Sequence, residues 1–434
     1  MHLGLLGKIK FREHVLPIAG GQLVTVVAGV FGVKILSHLV PPAVNGVYLV
    51  HFLTLAQLGV LLTHPGLINH ACRYWQREKA RSGSYARFLW QRSMHQLIPL
   101  TVILAGGCVA LGVSQRDTTW AWAFPLLFVC NWALALNATA TVASNADRRH
   151  WVLLALTSTG AVARVLLPTA LVLIFSPSFG ALACGFTLHA LVLCGCVVAL
   201  FYPAGKAAPA KAEVEAQWLR ELSDYGRPFL WLGVGGWLLQ FADRWIVSLF
   251  FGNEQAGLFA LAASLGAFVP NLAQAALMQG VFPGVFRLAD EARSEADWRA
   301  IARRCDQFTL LFLGVAVVGL LGLHWLAPHL LGVLIDQRYA RSVGMVFAAG
   351  LAAVTVQVNQ FHYMLLQGQH NSAGMVKVML VVAGIKTAGS ILAAMISWQA
   401  FLIWLVLSAP IAGWVGRHLI HRAAFLPEIA AKAD

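Results

Sequence analysis

Residues 228–251 read PFLWLGVGGWLLQFADRWIVSLFF. Apart from Gln240, Ser248 and an adjacent acid and base, Asp243 and Arg244, the stretch is made of apolar and small residues. About 20 such residues, each rising 1.5 Å along a helix, cross the ~30 Å hydrocarbon core of a bilayer. The segment therefore reads as a membrane-spanning helix that carries two charges at mid-depth. The rest of the chain has the same character. Its 434 residues are 59% hydrophobic and 11% charged, with a mean hydropathy of +0.71. Soluble domains carry about 25% charged residues. This chain has too little charge to cover a surface facing water, which excludes the soluble classes and predicts an all-α polytopic membrane protein.

The same length rule applied outward from 228–251 gives twelve spans. Six precede it, at 15–39, 46–70, 89–113, 120–145, 151–175 and 180–203. Five follow, at 257–285, 306–331, 343–367, 373–396 and 398–420. Between the halves, residues 204–227 are small, charged and polar, with Trp218, Leu219 and Leu222 at helical spacing. That pattern suits an amphipathic helix lying on a membrane surface. The chain is thus expected to form a six-helix lobe over 1–203, a cytoplasmic amphipathic linker over 204–227 and a second six-helix lobe over 228–434. NGVYLVHFLTLAQLG (45–59) resembles AGLFALAASLGAFVP (256–270), each placed after the first helix of its half. An even number of helices per half makes the two lobes parallel pseudo-symmetric repeats.

Lysine and arginine stay cytoplasmic in short loops. With the N-terminus inside, the inner segments hold 24 of them and the outer loops only Arg116, Arg338 and Arg341. Both termini are therefore expected in the cytoplasm. The formal charge of +13 is an inner-surface feature that calls for no nucleic-acid partner. The opening MHLGLLGKIKFREHVLP reads as a retained first helix rather than a cleaved signal. The seven cysteines lie mostly in apolar runs, with no zinc-like spacing or disulfide framework. No phosphate-binding glycine loop and no nucleophile–base pair is present, so no cofactor is called for.

Four basic residues have no loop to occupy: Lys34, Arg164, Arg244 and Lys386. Of the eighteen acidic residues, only Asp243 lies well inside a span. An ionisable group in the bilayer core costs roughly 2.5–3.5 kcal/mol on insertion scales, and such groups usually face the bundle interior or a wet cavity. Lys34 and Arg244 sit in the first helix of each half, Arg164 and Lys386 in the fifth. Symmetry-related cations of this kind suit an anion, and a guanidinium suits phosphate because its planar fork donates two parallel hydrogen bonds. Asp243 is expected to hold Arg244 in place or to neutralise it when no substrate is bound. Asn131, Asn137, His189, Gln274, Asn359 and His362 fit either a cavity lining or interhelical hydrogen bonds.

ADRWIVSLFFGNEQAGLFALAASL, preceded by YGRPFLWLG, resembles the middle of oligosaccharide-lipid flippases, the Wzx-type O-antigen and exopolysaccharide translocases of the multidrug/oligosaccharidyl-lipid/polysaccharide exporter superfamily. GVFGVKILSHLVPPAVNGVYLVHFLTLAQLG is similar to the junction of helices 1 and 2 in that family. The resemblance implies a two-lobed twelve-helix fold in the bacterial inner membrane, with alternating access through a central cationic cavity. It implies an undecaprenyl-diphosphate-linked oligosaccharide as substrate, bound by Arg164, Arg244, Lys386, Lys34 and Asp243, with membrane lipid around it. A polysaccharide polymerase and chain-length machinery are the implied protein partners. A cation-coupled multidrug exporter of the same superfamily would need buried carboxylates, and only Asp243 qualifies. A membrane glycan polymerase or ligase would need a sizeable outer loop bearing catalytic groups, and every predicted outer loop is short.

Overall fold

A computed structural model describes residues 11–75, 77–115, 118–146, 149–205, 210–369 and 371–425. Lys8, Lys10, Arg116, Arg148, Lys206 and Lys432, which enter the charge count above, lie outside the described residues. The described chain is all-helical. Eleven stretches are long and apolar enough to cross a membrane. One of them, Pro228–Met278, has 51 residues, about twice what one crossing needs. It contains Gly252, whose φ of 84° and ψ of 169° interrupt the helix. A positive φ is open to glycine and strained for other residues, so FFGNEQ is where the chain turns back. Splitting the stretch at Gly252 recovers the twelve expected spans.

We number the helices α1 (Phe11–Leu39), α2 (42–74), α3 (82–115), α4 (Thr119–Ala146), α5 (His150–Ile174), α6 (Phe179–Gly205), α7 (212–251), α8 (253–291), α9 (Glu295–Leu334), α10 (337–368), α11 (Ser372–Ile396) and α12 (Trp398–Phe425). They form two compact units. One holds residues 1–40 and 52–230; the other holds 41–51 and 231–434. In the first unit, α1 lies along α5. Gly20 and Gly21 face Leu154 and Thr157, and a methyl on Gly32 would meet Val165 at 2.8 Å. Small residues take the place of bulk here because lipid gives helices no hydrophobic reason to associate; close backbone packing supplies it.

The linker is helical. Residues 212–227 continue into α7 without a break, and Trp218 is buried with Tyr85, Phe88, Trp75 and Leu67. Arg77 grips Glu221 through two hydrogen bonds of 3.1 and 2.6 Å, and Arg92 lies 3.8 Å from Glu215. Burial pushes the Glu221 carboxyl up, but Arg77 and the Gln217 amide outweigh it and hold it below the ordinary glutamate range.

Within the second unit, the N-terminal turns of α2 and α8 cross at two glycines. A methyl on Gly46 would sit 2.0 Å from the carbonyl oxygen of Asn253. A methyl on Gly257 would sit 2.0 Å from the carbonyl oxygen of Pro42. The contact is reciprocal, and Gly46 and Gly257 are the matching glycines of the internal echo at 45–59 and 256–270. Beyond this crossing α2 widens at Val47–Phe52 and again at Gly59–Thr63. Asn131 of α4 secures the second widened turn, accepting from the Gly59 amide and donating to the Leu55 carbonyl at 2.9 Å. It is fully buried, so of its two sequence readings the interhelical hydrogen bond holds.

Candidate functional site

The second unit packs α7 against α11 as the first packs α1 against α5. A methyl on Gly235 would meet Met379 at 2.6 Å, and three bonds lock the next turns. Lys386 Nζ lies 2.6 Å from Asp243 Oδ2 and donates to the Leu239 carbonyl at 2.5 Å. Ser390 Oγ donates to Asp243 Oδ1 at 2.8 Å. Asp243 and Lys386 are 4% and 2% exposed. The indole of Trp404 on α12 donates to the Lys386 carbonyl at 3.1 Å, bracing the turn from behind. The acid expected to serve Arg244 is thus engaged by α11. Helix geometry explains it: at 3.6 residues per turn, neighbours point about 100° apart. Asp243 faces the α7–α11 seam while Arg244 faces elsewhere.

Arg244 lies on a cavity of about 100 Å³ within the second unit, which the Asp243–Lys386 pair also borders. Gln240, Asp243, Arg244, Asn271, Gln357 and Lys386 supply its polar wall, and alanines 263, 267, 349, 352 and 353 supply much of the rest. Gln357 donates to Asn271, while its Oε1 is buried without a hydrogen-bond partner. The volume admits several water molecules. Arg244 is half-buried, with its guanidinium 5.6 Å from the centre of the Phe241 ring. Phe241 continues a ladder of rings along α7, with Trp237 at 6.2 Å and Trp245 at 6.1 Å from Trp237. Neither Gln357 nor Asn271 is distinguishable in sequence from other amides in spans.

In the first unit the two remaining cations flank the α1–α5 crossing. Lys34 follows Gly32 by two residues and Arg164 precedes Val165 by one, so both stand at the level where those helices touch. Both are exposed. Arg164 lies within electrostatic reach of His189 on α6, and the Lys34 carbonyl accepts from Ser37 and His38 at 3.0 and 2.7 Å. The six spans of the first half contain no Asp or Glu. The five predicted residues therefore fall into three settings: an exposed pair, a buried ion pair, and a guanidinium on a small cavity.

No family model and no curated protein matches this sequence. Solved structures do match the backbone over nearly its full length. A multidrug resistance MATE family transporter of the MOP superfamily, in its inward-facing conformation, aligns with a TM-score of 0.60 at 11% identity, over 93% of this chain and 95% of that one. An outward-facing conformation of such a transporter gives 0.59 at 12% identity, over 96% of each chain. A MOP superfamily transporter from Pyrococcus furiosus, described as having a binding pocket of reverse polarity that suggests a different function, gives 0.61 at 11%, over 95% and 96%.

The chain has the fold of the MATE transporters. At 11–12% identity this likeness concerns the path of the backbone, and the chemistry must be read from the side chains. On this MATE fold the present chain is a multi-pass membrane protein. Its first six spans carry two exposed cations and no carboxylate, and its second six carry a closed ion pair beside Arg244.

Proposed function

We propose that the protein is a transporter that flips an undecaprenyl-diphosphate-linked oligosaccharide from the inner to the outer leaflet of the bacterial inner membrane by alternating access. The observation that carries this reading is the charge of the first unit. Lys34 and Arg164 are exposed on two tightly packed helices at one level, and no carboxylate in those six spans offsets them. A diphosphate is the class of ligand that neutralises such a pair, with the guanidinium as its bidentate partner. Arg244 is assigned an anionic group of its own within the second unit. A cavity of about 100 Å³ is below the ~300–1,000 Å³ of sites for drug-sized ligands, so it takes one small polar group and leaves the glycan outside. Lys386, neutralised by Asp243, holds α11 to α7 in this reading and acts on substrate only through that packing. Both termini are assigned to the cytoplasm on the loop charges.

A cation-coupled multidrug exporter is the second reading, favoured by the neighbours described as multidrug resistance transporters. It asks Asp243 to bind a cation that Lys386 already replaces. The test is transbilayer movement of an undecaprenyl-diphosphate saccharide in proteoliposomes, with wild type beside Arg164→Gln. Flipping by wild type and its collapse in the variant are expected. Absence of flipping by a folded wild type across several glycans, together with efflux of organic cations, would falsify the flippase reading in favour of the exporter.

A further inference from the structure

A second cluster of titratable groups joins α9, α10 and α12. Asp306 of α9, His362 of α10 and His421 of α12 bring one carboxylate and two imidazoles together, with their ligand atoms all within 4.8 Å of one another. His362 Nε2 is 2.9 Å from Asp306 Oδ1, and His421 Nε2 approaches the same oxygen to 3.8 Å. His362 is 1% exposed, and its ring is steadied by Thr309, whose Oγ1 lies 3.3 Å from Nδ1. We propose that Asp306, His362 and His421 form a binding site for a late first-row divalent cation of the zinc class.

Three features of the cluster suit such a cation. The donor set, two neutral nitrogens and one carboxylate oxygen, is that of open zinc sites, in which a fourth position is left to water. Calcium and magnesium prefer oxygen donors throughout and are excluded by the same set. The second feature is the His421 Nε2 atom, which is buried and has no hydrogen-bond partner. At 3.8 Å from the carboxylate oxygen it is too far to bond with it. A metal with bonds of about 2.0–2.2 Å to each would bridge that gap with a few tenths of an ångström of closure. The third is the fixed orientation of His362 by Thr309, an outer-shell contact of the kind that sets imidazole tautomer and aim in metal sites.

Arg417 is the competing group. It holds Asp306 through Nε at 2.6 Å and through a second nitrogen at 3.0 Å. Its side chain is 54% exposed, so it can swing into water and surrender the carboxylate. Binding is then an exchange of one cation for another on Asp306, and it ties α9, α10 and α12 together. His418 is the other titratable group near His421.

The experiment uses the full chain, without a polyhistidine tag, metal-stripped in lipid nanodiscs. Cobalt(II) serves as the visible probe and zinc is tested by thermal unfolding. Wild type should show the ligand-field bands of tetrahedral cobalt and unfold at a higher temperature with zinc. His421→Ala should weaken both by roughly tenfold or more while unfolding near the wild-type temperature without metal. Arg417→Gln should bind cobalt about tenfold more tightly, because the competing charge is gone. Wild type with neither response overturns the site, as does His421→Ala that keeps both. A folded Arg417→Gln that binds no more tightly than wild type would also reduce the cluster to an ion-pair network.

Discussion

Two helix pairs hold corresponding places in the chain, α1 with α5 and α7 with α11, and they treat charge in opposite ways. Both close on a glycine, Gly32 against Val165 and Gly235 against Met379. Beside the first contact stand two exposed cations and no acid. Beside the second, a lysine and an aspartate are buried against each other at 2.6 Å, with a hydroxyl and a carbonyl completing their bonds. The same scaffold therefore buries charge in one unit and leaves it exposed in the other. Sequence position alone makes Arg164 and Lys386 look equivalent. Their surroundings differ.

The largest effect that would break this contrast is expected at the buried pair. Asp243→Asn leaves Lys386 buried without its counter-charge and should cost about 3–5 kcal/mol, read as a steep loss of folded, monodisperse protein after heating. Asp243→Leu combined with Lys386→Met should recover most of that loss, since a well-packed apolar pair often replaces a buried ion pair without penalty. If the single variant is as stable as wild type and instead alters substrate affinity, Asp243 belongs to the transport chemistry.

Arg164→Gln should leave the unfolding temperature within about 1 °C of wild type, as surface substitutions usually do. Its flipping rate should fall at least tenfold, the equivalent of about 1.4 kcal/mol in a rate barrier. A variant that loses stability in step with transport would place Arg164 with Lys386 as a packing residue. Lys34→Gln sharpens the same point on a smaller scale. A lysine offers phosphate a point charge without the fork of arginine, so a two- to fivefold reduction is expected at unchanged stability.

The smallest effect sets the scale for an ion pair outside the membrane. Glu221 is held below its ordinary range by Arg77 and Gln217. Its contribution is therefore present at neutral pH and lost as pH falls from the ordinary glutamate value, about 4.3, through the depressed folded one. With the Arg77 side chain 43% exposed, that contribution should stay under about 1 kcal/mol. Glu221→Gln should lower the unfolding temperature slightly at pH 7 and by less at pH 3. An equal loss at both pH values would assign the effect to the packing of Trp218.

The fold was legible where composition alone decides it. Twelve apolar runs define the helices. Gly252 marks a turn that glycine makes accessible. The charged residues inside the spans were legible in sequence, and their partners were not. Adjacent positions in sequence suggested that Asp243 serves Arg244, yet a helix turns neighbours apart and delivers Asp243 to a lysine on α11. The three residues of the Asp306 cluster sit on separate helices, so no spacing announces them. Asn131 shows the same limit: a buried amide reads alike whether it lines a cavity or mends a widened turn.

The reciprocal crossing at Gly46 and Gly257 bears on how such a chain can change over time. Each of the two stretches is the other's neighbour. A side chain gained at either glycine would strike the backbone of the opposite stretch, so the crossing tolerates substitution at neither position.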